Sequence, residues 1–361
     1  MALWLGIMRI GEKGGAINIL SKVFAPLFNK LFPEIPKDSK AHGSIIMNIS
    51  ANMLGLDNAA TPLGLKAMAE LQKHNKNKDR ASNAQILFLV LNTSGLTLIP
   101  TSIIALRATA MADNDIIGNP TDIFIPILIA TYCSTLAGLI FISIIQKINL
   151  FQKTVLAYLG SATAIIGGLV WYLALHKQQI EVISSIVSGA FIFGFIISFI
   201  LLGLKNKINI YEEFIEGAKD GFNVAVKIIP YLIAMLCAIG AFTTSGAMQF
   251  IISGIDSFFG LFLSDTRFVE ALPTAIMKPL SGGGARGMMV ESWGQNAVNI
   301  NSFVGKLTST LQGSTETTFY VLAVYFGSVG IKNTRYAIVA GLFADLIGVI
   351  AAIIIAYLFW G

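Results

Sequence analysis

Charge is scarce in this 361-residue chain: Lys, Arg, Asp and Glu together make up 12% of it, about half the roughly 25% of ordinary soluble domains. Hydrophobic residues reach 55% and the mean hydropathy is +0.72. Water cannot cover that much apolar surface, so the sequence reads as an integral membrane protein. Cysteine is nearly absent: Cys133 and Cys237 lie far apart inside apolar runs, which excludes a disulfide framework and a CxxC metal site. The three histidines, His42, His74 and His176, sit at segment edges without a second ligand at metal-binding spacing, and no metal or other cofactor is expected. A net charge of +5 and a pI near 9.1 could suggest nucleic acid. The basic residues instead occupy short loops between apolar runs, with no interleaved aromatic patch, so no nucleic-acid partner is expected.

Apolar windows long enough to span a bilayer cover residues 85–106, 123–145, 155–175, 182–204, 303–331 and 337–360. Four further windows, 1–31, 43–68, 228–263 and 272–293, are interrupted by Gly, Pro and polar residues. Such interruptions are tolerated at membrane depth only where protein or a cavity covers the backbone. The loop 66–80 carries a balance of +3 and the loop 107–122 one of −2, which places the first inside and the second outside. Alternation then sets the C-terminus outside. The expected location is the inner (plasma) membrane of the cell, crossed many times, with the lipid bilayer as the first partner.

The two halves of the chain repeat. Leu-Asn-Thr-Ser-Gly-Leu-Thr at 91–97 parallels Leu-Gln-Gly-Ser-Thr-Glu-Thr at 311–317; Gly15-Ala16 parallels Gly246-Ala247; Ile46-Met47 parallels Ile276-Met277; Leu136 and Gly138 parallel Leu346 and Gly348. Combined with the loop charges, the hairpin at 43–68 enters from inside and that at 272–293 from outside. The fold expected is an all-α polytopic membrane protein of two inverted repeats with re-entrant hairpins and broken helices, an arrangement of many secondary transporters. The units are 1–149, a linking span at 150–179, and 180–361. Unit two opens with a span and an amphipathic stretch, 211–226, that unit one lacks, so the natural start is expected upstream of Met1.

Candidate ligand-binding residues lie at these interruptions. Gln312, Ser314, Thr315, Glu316 and Thr317 surround Gly313 in the middle of an apolar run, and a carboxylate at that depth is costly. Two readings stand: Glu316 holds a ligand, or it forms a structural ion pair with Lys278 or Arg286. Asn92, Ser94 and Thr97, followed by Pro100, form its uncharged counterpart, read either as part of the site or as small-residue helix packing. In the first hairpin Asn48, Asn52, Asp57, Asn58 and Thr61 flank a turn at Gly55, either as a gate or as caps. In the second, Lys278, Ser281 and Arg286 bracket three glycines without the spacing of a phosphate loop. Asp345 is a further buried acid. No nucleophile–base arrangement or carboxylate dyad is apparent, so no enzyme is expected.

The run NMLGLDNAATPLGLKAM at 52–68 resembles the signature of the spore maturation protein A family. PYLIAML at 230–236, MKPLSGGGARG at 277–287 and LQGSTETTFYVLAVYFG at 311–327 resemble the B family. The resemblance covers nearly the whole chain as an A–B fusion within the Gate, or nucleoside-recognition, group. It implies kinship with concentrative nucleoside transporters, in which a Gln-Thr-Glu run beside a hairpin contacts ligand. The function expected is a secondary transporter or permease for a small-molecule solute. The alternative is a non-transporting membrane scaffold or regulatory protein linked to spore or envelope maturation, with 211–226 and the basic 66–80 loop as docking surfaces or 211–226 lying flat on the membrane. A homo-oligomer is compatible with either reading.

Overall fold

A computed structural model describes residues 2–36, 38–55, 57–176 and 180–361; the side chains at 57–59, 180, 181, 184, 185 and several positions between 221 and 243 fall outside that description. The described chain is all-helical. α1 (Ala2–Lys13), α2 (Ala16–Leu31), α3 (Lys40–Met53), α4 (Asp57–His74), α5 (Asn83–Thr93), α6 (Thr101–Asp113) and α7 (Phe124–Gln146) come first. After α8 (Lys153–Leu175) and α9 (Ile180–Lys205), a similar order returns as α10 (Ile210–Thr244), α11 (Ala247–Gly260), α12 (Leu272–Leu280), α13 (Gly282–Ser292), α14 (Phe303–Gly313), α15 (Thr318–Ser328) and α16 (Ala337–Trp360). Four described stretches are long and apolar enough to cross a membrane: Phe124–Gln146, Lys153–Leu175, Ile186–Lys205 and Ala337–Trp360. This is a membrane protein by fold and by composition.

Local chemistry sets the boundaries. Gly15 and Gly246, at matching places before α2 and α11, adopt φ of 87° and 76°, a left-handed turn that costs glycine nothing. α3 starts at the Ser39 cap, whose hydroxyl accepts from Ala41 N, and α5 at a reciprocal Ser82–Gln85 capping box. The apolar window 85–106 expected as one span is divided. Asn92, Thr93 and Ser94 turn their side chains onto the carbonyls of Phe88, Val90 and Leu91, competing with the helix. Gly95 then swings to φ 56°, and Pro100, which has no N–H to donate, precedes α6. The window 303–331 divides in the same way. Ser309, Thr310 and Ser314 bond back to Gly305, Lys306 and Leu311, and α15 restarts at Thr318. In the opposite sense, the amphipathic 211–226 stretch is no separate element: it forms the start of the 35-residue α10.

The two divided helices run in opposite directions. Asn83, at the start of α5, accepts from Arg335 Nη1 (2.9 Å) and Tyr336 OH (3.1 Å), just past α15, and Ala81 N donates to Asn333 O at 2.9 Å. At the other end Arg107 in α6 donates to Ile300 O at 2.9 Å, and Asn301 donates to Ile117 O at 3.1 Å, just before α14. Between these ends, Glu316 N donates to Thr93 O at 2.8 Å: each break lends the other a main-chain partner. α7 and α16 brace the crossing through small residues. Ser134 Oγ donates to Ala344 O at 2.9 Å, and a Cβ on Gly138 would lie 3.1 Å from Ala344 Cβ, the close approach membrane helices favour. α8 and the described part of α9 turn Leu156, Ile165, Trp171, Ile186, Phe193 and Leu204 outward, as lipid-facing helices do.

Candidate functional site

The hairpin tips reach the crossing. α3 and α4 meet at a turn where Gly55 takes φ 67°, and a Cβ there would lie 2.7 Å from Ile99 O; beside it Leu98 N donates to Met53 O at 2.9 Å. In the second hairpin the cap is Ser281, whose Oγ accepts from Gly284 N at 3.0 Å, so the three glycines form the first turn of α13. A Cβ on Gly282 would lie 2.6 Å from Thr317 Oγ1. Gly55 thus meets the main chain of the break between α5 and α6, where only glycine fits, and Gly282 packs on a side chain of the break between α14 and α15.

A cavity of about 100 Å³ opens at this junction, lined by Asn52 and Gly55, by Thr97, Ile99 and Pro100, by Thr101, Ser102 and Ile103, by Lys278 and Arg286, and by Gln312, Gly313, Thr315 and Glu316. Of the candidates read from sequence, Asn52, Thr97, Lys278, Arg286, Gln312, Thr315 and Glu316 line it. Glu316 is half-buried and forms no ion pair among the described residues; Lys278 and Arg286 share its cavity. Gln312, 3% exposed, donates from Nε2 to Gly282 O at 3.3 Å, while its Oε1 is buried without a partner.

The other candidates stand behind the wall. Asn92 Oδ1 accepts from Asn52 Nδ2 at 2.8 Å and from Tyr325 OH at 3.3 Å. Asn48 donates to Ala60 O at 2.8 Å and to Tyr325 OH at 3.3 Å, which ties the first hairpin to α15. Ser94 and Ser314 are spent on their own helices, Ser281 is a cap, Thr317 packs on Gly282, and Thr61 lies in α4 away from the cavity. The side chains of Asp57 and Asn58 lie outside the described residues. Asp345 Oδ2 accepts from Thr318 Oγ1 at 2.7 Å, placing a carboxylate at the start of α15, where the helix dipole favours it.

Sequence reading missed Thr101 and Ser102, although Pro100 before them is the signature of a helix start. It also missed a charged cluster at the α6 end. Arg107, fully buried, meets Asp122 Oδ1 at 3.0 Å, Ser309 Oγ at 3.2 Å and Ile300 O, while Lys306 Nζ lies 3.3 Å from Asp122 Oδ2. Arg107 and Asp122 were read only as loop charge.

Residues 1–110 and 225–332 both match the nucleoside recognition (Gate) family. The chain belongs to the Gate family. The two matched stretches of this Gate protein take in both hairpins and both divided helices. Spore maturation protein B of Bacillus subtilis (strain 168) is 45% identical over 165 residues, covering 45% of this chain and 88% of that protein. Spore maturation protein A of the same organism is 45% identical over 140 residues, covering 39% of this chain and 69% of that protein. No solved structure gives a significant match to this Gate protein.

Proposed function

We propose that this Gate protein is a secondary transporter for a small polar solute, held where the two divided helices cross. The observation that carries this reading is Glu316, a half-buried carboxylate without an ion pair among the described residues, in a cavity lined by both hairpins and both breaks. A structural ion pair would hold its charge against a partner within reach; a carboxylate kept open to a cavity is arranged for something that comes and goes. The opposed courses of α5–α6 and α14–α15, and the matching left-handed turns at Gly15 and Gly246, support two inverted units rocking about a shared site. The multi-pass topology in the inner membrane, with the 66–80 loop inside, follows from the loop charges, and no enzymatic step is invoked. The scaffold reading is weakened at the surface it needs, because Glu213 and Asp220 on the amphipathic part of α10 are taken by Arg9 of α1 at 2.8 and 3.1 Å.

The test is uptake into proteoliposomes of labelled nucleosides, amino acids and organic anions by the whole chain and by Glu316→Gln. The expected result is entry of one class, lost in the variant. Entry of every class at the rate of empty vesicles overturns the transporter reading; normal uptake by the variant overturns the assignment of Glu316.

A further inference from the structure

Asn52 stands between the crossing cavity and a second one whose walls are of a different kind. The second cavity holds about 240 Å³ among α2, α3, α5, α7 and α8, with Phe24 and Leu27 on one side, Leu91 and Leu98 on another, and Leu139 and Ile166 closing it. Most polar groups in this lining are engaged elsewhere. Asn52 Nδ2 donates to Asn92 Oδ1 at 2.8 Å, Tyr132 OH to Leu159 O at 3.2 Å and Tyr158 OH to Val23 O at 2.6 Å. Thr135 Oγ1 is buried without a partner. It offers a water a single hydrogen bond, whereas a buried water makes about three, so the space suits hydrocarbon.

The cavity shares Leu136 and Leu159 with a groove of about 480 Å³ that runs along α7 and α8 to the turn between them. Ile140, Ile144, Phe151 and Leu156 line the groove and are exposed, which opens it to the bilayer. From Leu136 to Gln146, the end of α7, the helix rises about 15 Å, the depth of one leaflet in a hydrocarbon core about 30 Å thick. The mouth of the groove is basic. Lys147 and Lys153 bracket the lining residues Ile148 to Phe151, and both are exposed and form no ion pair among the described residues. No Asp or Glu occurs between Asp122 and Glu181. Glu34, which shares a small pocket with Ile148, accepts from Asn83 Nδ2 at 2.7 Å. Gln146 Nε2 donates to Asn83 O at 2.9 Å, so the turn lies at the same end of the molecule as the basic 66–80 loop, the end that loop charge sets inside.

We propose that the α7–α8 groove and the cavity behind it bind an anionic phospholipid of the inner leaflet. Its phosphate lies between Lys147 and Lys153, and one acyl chain follows the groove and ends against Thr135 and Asn52. Each part of the site selects for this occupant. A free anion leaves the hydrocarbon walls uncovered, a neutral lipid leaves the two lysines unmatched, and an α-helix, about 10 Å across, does not enter a cavity of 240 Å³. Because Asn52 also lines the crossing cavity, the end of the acyl chain backs one wall of the site proposed for the solute. The lipid site itself stands whether or not a solute is carried there.

The experiment is native mass spectrometry of the whole chain released from detergent micelles that carry equal amounts of phosphatidylglycerol and phosphatidylcholine with the same acyl chains. One phosphatidylglycerol is expected to stay on each chain, favoured over phosphatidylcholine by about fivefold for each lysine. Lys147→Asn together with Lys153→Gln should keep one lipid bound but remove the preference; asparagine accepts the φ of 56° at position 147. Ala162→Phe on α8 and Thr135→Leu on α7 fill the cavity from opposite walls. Each should abolish retention while the unfolding midpoint in lipid-free detergent is no lower than that of the natural chain, since Thr135 gives up no hydrogen bond from its hydroxyl. If a filled variant fails to fold, the other variant and the headgroup comparison on the natural chain decide. Equal retention of the two lipids, retention unchanged in a folded, filled variant, or the loss of all lipids together with none outlasting the rest each overturns the proposal.

Discussion

Gly55 is the residue on which the first hairpin turns toward the crossing, and replacing it with alanine puts a number on how tightly that tip is held. Its φ of 67° lies in the left-handed region, and the added Cβ would sit 2.7 Å from the main-chain oxygen of Ile99. The left-handed conformation costs a residue with a Cβ about 1–2 kcal/mol. The contact is with backbone, so relief requires the tip to withdraw from the stretch between Gly95 and Pro100. Withdrawal breaks the 2.9 Å hydrogen bond from Leu98 N to Met53 O, worth about 1 kcal/mol net. The expected destabilisation is therefore about 2–3 kcal/mol, read as the shift in unfolding midpoint of the purified protein in mixed micelles. Gly43→Ala is the control. That glycine lies within α3 with open space around its Cβ position, so alanine should stabilise by roughly 0.5–1 kcal/mol. A Gly55→Ala protein as stable as the natural one, with Gly43→Ala behaving as expected, would refute the close docking of the hairpin tip.

Arg107→Ala should cost about 3 kcal/mol, the lower end of the range for breaking a buried pair, because it leaves Asp122 with Lys306 alone and takes the donor from the Ile300 carbonyl; Arg107→Lys should recover only part, since one ammonium cannot reach both the carbonyl and the carboxylate as the guanidinium fork does. Asp265, in the loop before the turn Arg267–Ala271, is held down to about 2 by hydrogen bonds from the Arg267 side chain and main chain. A depressed carboxylate contributes its stabilisation above the ordinary value of 3.8 and loses it as pH falls to about 2, so the fall in unfolding midpoint across that window should be shallower in Asp265→Asn; an equal fall would exclude the Arg267 contacts. Tyr325→Phe removes the hydroxyl that joins Asn48 to Asn92 and should lower the unfolding free energy by about 1 kcal/mol, measured alongside Gly55→Ala; no change would show that the Asn48–Ala60 and Asn52–Asn92 bonds hold the hairpin without it.

The helical class and the interrupted windows were legible because both follow from composition and from punctuation at single residues. Gly55, read as the turn of the first hairpin, carries a positive φ, and the Ser94 and Ser314 regions break helices where runs of hydroxyls accumulate. Where the long windows divide was harder to see. The apolar run from 85 to 106 is long enough for one span; Asn92 to Ser94, Gly95 and Pro100 divide it locally, while the partner that meets the break, Glu316 N on Thr93 O, comes from the far half of the chain, where no local pattern announces it. The same limit explains the site. Gln312, Glu316 and Lys278 stand out as polar residues at membrane depth, yet Thr101 and Ser102 look like an ordinary helix start until the tertiary fold brings them to line one cavity with Lys278 and Arg286. Conversely Asn48 and Ser281 look like ligand donors in isolation, and the structure spends them on the framework.

The bond between Glu316 N and Thr93 O has a consequence for how such a molecule can be assembled. Neither half lines the crossing cavity alone; each supplies part of a lining that the other completes. A cut in the loop between α7 and α8, at residues 148–152, should leave two fragments that lack the cavity when made singly and regain it when made in the same bilayer. In the intact chain α8, facing lipid along most of its length, serves as a leash: it keeps the halves at a high mutual concentration and turns an encounter between two chains into a step within one.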